Sequence, residues 1–149
     1  MKPGVVSLAV ALMLATSAFA ADTKPPKPAK PISIDRSANF LIDAPTAEAI
    51  WKENTLARVA KLYPTKKFRF VSEVTGGFNE GKTCVVTARA MLLPVVTLPV
   101  QGSKVVYAPI KSATAFDAVP SLSREQCQEL AHAKLKEAIQ SVMSALAAS

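Results

Sequence analysis

Residues 67–75 (KFRFVSEVT) alternate apolar and polar. Phe68, Phe70 and Val74 fall on one side, and Lys67, Arg69 and Glu73 on the other. A two-residue period predicts a half-buried strand. Residues 83–92 repeat it, with Cys84, Val86, Ala88, Ala90 and Leu92 on one face of a second strand. Antiparallel pairing with Phe70 opposite Val86 and Phe68 opposite Ala88 aligns both apolar faces, because a one-residue slip would turn one of them to solvent. Lys67, Arg69, Thr87 and Arg89 then share the outer face. The intervening Gly76-Gly77-Phe78-Asn79-Glu80-Gly81 reads as a glycine-rich hairpin loop with Phe78 at its tip. Pro94 and Pro99 cannot donate to a ladder, so residues 95–101 are expected as an edge or a bent connection. Residues 104–108 (KVVYA) are β-prone and expected to pair with the second strand, and residues 114–120 to form a connection.

The period lengthens on either side of these strands. Asp43 or Thr46 can cap a helix with Pro45 in its first turn, and the helix is expected to run to about Leu62, where Tyr63-Pro64 ends it. Its apolar residues do not form one stripe: Ala49, Leu56, Val59, Ala60 and Tyr63 cluster, while Trp51 and Leu62 lie elsewhere. At the other end, Ser123-Arg-Glu-Gln126 matches a capping box, with Leu122 and Cys127 at the staple positions. Cys127, Ala131, Leu135, Ala138, Val142 and Leu146 make the inward stripe of a helix reaching about Ala145. The expected fold is α+β, a small antiparallel sheet of three to four strands flanked by an N-terminal and a C-terminal helix in α-β-β-β-α order, with one disulfide. An all-parallel sheet is excluded because the connections are too short for crossovers.

The first residues have another character. Lys2 precedes an apolar run from Val5 to Ala15, and Ala18-Phe19-Ala20 supplies a small-x-small cleavage pattern. This is the layout of an export signal cut after Ala20. The run is short for a membrane span, and no cysteine stands at the cut for lipidation. The mature chain is expected in an oxidising compartment outside the cytoplasm, the periplasm or beyond. Residues 24–32 repeat Lys-Pro-x three times. In polyproline II geometry Lys24, Lys27 and Lys30 lie along one edge about 9 Å apart. Such a strip reads as a semi-rigid spacer that can touch an anionic surface. The expected divisions are a cleaved signal at 1–20, a Lys/Pro-rich segment at 21–40 and one domain at 41–149.

Cysteine use sharpens the compartment. Cys84 and Cys127 are the only two cysteines, and both fall on inward faces, so they are expected to form a bridge. Closing that loop would stabilise the fold by about 4 kcal/mol in the chain-entropy description. No Cys-x-x-Cys is present to suggest a redox site.

Charge and motifs narrow the function. Loss of Lys2 lowers the formal charge from +7 to +6, which suits an anionic partner or surface. His132 is the sole histidine, about 140° around the helix from Cys127, so the two form no chelate. One histidine and two bridged cysteines cannot furnish a zinc site. Gly-x-Ser-x-Gly and Gly-x-x-x-x-Gly-Lys-Ser/Thr are absent from the sequence, and no cofactor motif is expected. Glu73 and Glu80 are the one conceivable carboxylate pair for an envelope-polymer hydrolase. The leading expectation is a non-catalytic exported binding module that docks on another protein, of inhibitor, immunity or accessory type. Lys67, Arg69 and Arg89 on the outer sheet face, extended by Phe78, are its expected contact residues. The alternative is a binder of an anionic envelope component through Lys24, Lys27 and Lys30. Nucleic acid is a poor partner for an exported chain.

Overall fold

The computed structural model describes residues 32–97, 104–106 and 108–149. The order there is β1 (Ser33–Asp35), α1 (Ala44–Asn54), α2 (Ala57–Leu62), β2 (Phe68–Phe78), β3 (Thr83–Thr97), β4 (Lys104–Val106), β5 (Lys111–Pro120) and α3 (Arg124–Ala147). The fold is α+β. Its sheet is mixed rather than purely antiparallel, because β1 runs parallel to β2 while the β2–β3, β3–β4 and β3–β5 pairs are antiparallel. The signal segment and Lys24, Lys27 and Lys30 lie outside the described residues.

β3 is the centre of the sheet. It pairs with β2 along one edge and with β5 along the other, and its last residues, Val95–Thr97, pair with β4. Residues 95–97 therefore extend the second strand rather than form a separate edge or bend. Pro94 is accommodated opposite Phe68, at the first residue of β2. Residues 104–106 pair with β3 as the β-prone run implied.

The β2–β3 register departs from the expected one. Phe70 faces Leu92 and Phe68 faces Pro94, whereas Val86 and Ala88 face Gly76 and Val74. The displacement is six residues, an even number, so both apolar faces remain aligned. Its cause is the turn. Gly76 and Gly77 belong to β2 rather than to a loop, at φ 137° and 144°. The reversal is confined to Asn79–Lys82, where Lys82 N–H donates to Asn79 O (3.0 Å) and Thr83 N–H donates to Asn79 Oδ1 (2.9 Å). A tighter turn pairs more of each strand, and turn length sets register.

Residues 111–120 form a full strand, which takes in the 114–120 stretch expected as a connection. Cys84, Val86, Ala88 and Ala90 face Val119, Asp117, Ala115 and Ala113. Ala115 is buried and Ala113 is partly buried against the core. Small residues at these positions weaken the apolar signal of the alternation, and they let α3 approach the sheet closely.

The first helix is interrupted. Thr55 Oγ1 donates to Trp51 O (2.6 Å) and Asn54 Nδ2 to Ile50 O (2.8 Å), while Thr55 and Leu56 adopt extended backbone. Side chains that return to the helix carbonyls in this way compete with its continuation. The break redirects the chain, so Trp51 of α1 and Val59 of α2 are both buried, which resolves the divided apolar pattern. Asp43 caps α1, accepting from Thr46 N–H at 2.8 Å.

β1 brings residues ahead of 41 into the sheet. Ser72, fully buried, donates through Oγ to Asp35 Oδ1 (2.9 Å), and Ser37 Oγ donates to the same oxygen (2.6 Å). Val74 N–H in turn donates to Ser37 Oγ (2.9 Å). The buried Ser72 hydroxyl is thereby satisfied.

The core lies between α3 and the sheet. Leu135, Ala138, Ile139, Val142, Met143 and Leu146 of α3 meet Val74, Val86, Ala88, Ala90 and Leu92. Trp51 stacks on Phe70 with ring centroids 5.0 Å apart. Ser123 forms the capping box with Gln126, which starts α3 where the sequence placed it. The Cys84–Cys127 disulfide joins its first turn to β3 across a Cα separation of 5.8 Å.

Candidate functional site

The face of the sheet turned away from α3 carries the side chains alternate to the core set. The register builds it in rows. Glu73, Arg89 and Thr114 lie side by side across β2, β3 and β5, and Thr75, Thr87 and Phe116 form the next row. Thr75, Arg89, Thr114 and Phe116 are exposed. Glu73, Thr75, Thr87, Arg89 and Thr114 line a shallow open depression of about 350 Å³. Antiparallel neighbours sit roughly 5 Å apart, so five polar side chains from three strands converge on one area with their backbones fixed.

Arg89 dominates this area. Glu73 is its direct cross-strand neighbour, but no ion pair joins them. The ion pairs among the described residues are Lys52–Glu48, Lys134–Asp117 and Lys134–Glu137. Arg89 is exposed and has no ion-pair partner among the described residues, and a guanidinium can engage a carboxylate or phosphate.

The register also decides which expected residues come together. Arg69 faces Leu93, four positions along β2 from Glu73, so it stands roughly 13 Å from the Arg89 row. Val71, Met91 and Leu93 form a second buried apolar cluster between them. Arg69 also turns Nη1 to its neighbour Phe68 O (3.0 Å). Lys67 lies just ahead of β2, where its carbonyl accepts from Val95 N–H. The three cations share a face but do not form one cluster. Phe78 does not extend this face. It ends β2 opposite Cys84, on the side of α3, and is 46% exposed. The ring of Phe40, also exposed, lies over Gly77 nearby.

The remaining chemistry is dispersed. Glu73 lies within β2 and Glu80 in the turn, seven residues further on, or roughly 20 Å along extended chain. Paired glycosidase carboxylates stand about 5–9.5 Å apart. His132 is half-buried on α3, in a small polar recess with Asp43, Thr46 and Gln128. The Asp43 carboxyl there is held below its ordinary value of 3.8 by hydrogen bonds from the Thr46 side chain and amide, with a smaller attraction to His132. Lys134 is held above its ordinary range by Glu137 and Asp117. Among the described residues, no group of three or more His, Cys, Asp or Glu is placed to hold a metal. No helix there is long and apolar enough to cross a membrane.

Thr75, Thr114 and Phe116 are site residues that sequence reasoning missed. Thr114 and Phe116 belong to the strand read as a connection, and Thr75 was assigned no role. Compared with known proteins, the chain matches no protein-family model, no curated protein and no solved structure.

Proposed function

We propose that this protein is an exported, non-catalytic binding module that docks on another protein through the sheet face centred on Arg89. The observation that carries the reading is an exposed arginine, in no ion pair among the described residues, set among threonine hydroxyls on three paired strands. The depression is open rather than enclosed, which suits a partner's protruding side chain better than a buried small molecule. Arginine is favoured at protein interfaces because its planar fork engages a carboxylate bidentately. Side chains held on paired strands lose little freedom on binding. The occupant that fits is an acidic side chain on an envelope or exported protein. The disulfide supports an oxidising compartment, and removal of residues 1–20 to leave Ala21 as the N-terminus belongs to the same proposal.

The anionic-surface reading places the contact at Lys24, Lys27 and Lys30 instead, and charge reversal separates the two. Arg89→Glu is expected to weaken binding at least tenfold while lowering the thermal midpoint only slightly, the cost of setting a glutamate opposite Glu73. Reversal of Lys24, Lys27 and Lys30 together is expected to leave binding within a factor of two. Binding should decline only gently with salt, because a packed interface is less screened than a polyanion contact. Full-strength binding by Arg89→Glu, with loss in the triple lysine variant, would transfer the function to the N-terminal strip.

A further inference from the structure

β5 is an edge strand. It pairs with β3 alone, and no other strand among the described residues lies along its second edge at Lys111–Pro120. The pairing phase shows which groups face outward. Ser121 N–H donates to Lys82 O, so Lys82 and Ser121 exchange bonds, and every second residue inward repeats that pattern. Ala113, Ala115, Asp117 and Val119 thus direct their backbone groups to β3. Ser112, Thr114, Phe116 and Ala118 direct theirs away from it. Ala118 N–H is taken by Asp117 Oδ1 (2.9 Å), and Pro120 has no N–H. The amides of Ser112, Thr114 and Phe116 have no partner among the described residues.

Natural sheets normally blunt an open edge with charges, bulges or a covering segment. This edge carries only Lys111 and Asp117 as charged residues. Ser112, Thr114, Phe116 and Ala118 are all exposed, Phe116 at 61%, and Ile110 just before the strand is exposed at 45%. Open amides, small side chains and exposed apolar groups together mark a strand-pairing surface.

The sequence of the edge selects its occupant. A two-fold axis through Thr114 pairs β5 antiparallel with β5 of a second copy. Thr114 then faces the partner's Thr114, and Ser112 faces the partner's Phe116. Lys111 faces the partner's Asp117. The outward amides of Ser112, Thr114 and Phe116 all find carbonyls across the seam. Lys111 and Asp117 lie on the same side of the sheet, as their partners Leu92 and Val86 show, so at each end of the seam the partner's Lys111 joins Lys134, which already pairs with Asp117 at 3.3 Å, around one carboxylate. The neighbouring registers lack this match. Centring on Ala115 puts Asp117 opposite alanine, and centring on Phe116 does the same. The exposed Phe116 gains cover in the Thr114 register.

We infer that β5 is a self-complementary edge through which two copies of this chain pair into one continuous sheet, with Thr114 on the two-fold axis. Closed two-fold pairing uses up both edges and leads to no further growth. The Arg89 faces of the two copies then lie on the same side of the joined sheet, giving a partner two equivalent contacts.

Sedimentation of the exported, oxidised protein over a concentration series tests this directly. The protein should pass from monomer to dimer mass. Lys111→Glu and Asp117→Lys should each remain monomeric at concentrations where the unaltered chain is dimeric, since each places like charges across both contacts. An equimolar mixture of the two variants should recover the dimer, because opposite charges then meet at both contacts. Backbone exchange at Ser112, Thr114 and Phe116 should slow at least tenfold in the dimer. Thr114→Pro, which removes the central outward N–H without touching a β3 bond, should also be monomeric with a native far-ultraviolet spectrum. A chain that stays monomeric throughout would overturn the inference. So would a dimer insensitive to all three variants, or a variant mixture that fails to associate.

Discussion

Replacing Cys84 and Cys127 together by alanine is expected to lower the unfolding free energy by about 4 kcal/mol. The two residues are 43 apart in sequence, and the loop they close contains most of β3, all of β4 and β5, and the start of α3. Both are almost wholly buried. In the unfolded chain the bridge restricts this whole span, and that restriction is its main contribution in the chain-entropy description. The loss is large beside the 5–15 kcal/mol typical of a domain's whole stability. Denaturant unfolding of the double variant, compared with the oxidised parent, measures it. A change below about 1 kcal/mol would show that the bridge constrains little beyond what packing already fixes. Reduction of the parent should reproduce the loss without any substitution.

Gly76→Ala is expected to destabilise by about 3 kcal/mol or more. At Gly76 the backbone φ is 137°, which L side chains rarely adopt, and an added Cβ would stand 1.9 Å from Val85 O. That oxygen is backbone in the central strand, so either β3 must move or the hairpin must lose pairing. Gly81→Ala is the control. Its added methyl would meet only Asn79 Oδ1 at 3.4 Å, and the change should stay within about 0.5 kcal/mol. Thr75 and Thr87, the residues next to Gly76 and to its partner Val86, line the depression beside Arg89. The variant should therefore weaken partner binding as well as stability. Equal stability of the two glycine variants would contradict the strand assignment of Gly76.

Elements whose signals are local and strong were legible in the sequence. The capping box at Ser123, the inward stripe of α3, and the alternation of β2 and β3 each reflect one physical requirement met within a short window. The disulfide followed from two inward faces that had to meet in one core. The misread elements depend on information that a face pattern lacks. Alternation fixes which face is buried but permits any even register shift, and only the tightness of the Asn79–Lys82 turn decides among them. That six-residue difference separated Arg69 from Arg89, and pairing with Cys84 put Phe78 on the other side. β5 escaped notice because alanines do the inward packing of a strand whose bulkiest side chain, Phe116, points to solvent. The depression needs β5 as its third strand, so Thr114 carried no signal until the strand was found.

Site-specific photocrosslinking at Thr87, beside Arg89 on the same strand, tests the central claim most directly. The cross-linker would be introduced at Thr87, and separately at Lys136 on the exposed side of α3, in cells producing the full chain. These cells should yield one discrete protein adduct from Thr87, none of it from Lys136, and the adduct should vanish when Arg89→Glu is added. An adduct that persists with Arg89→Glu, or that forms equally from Lys136, would contradict docking through this face.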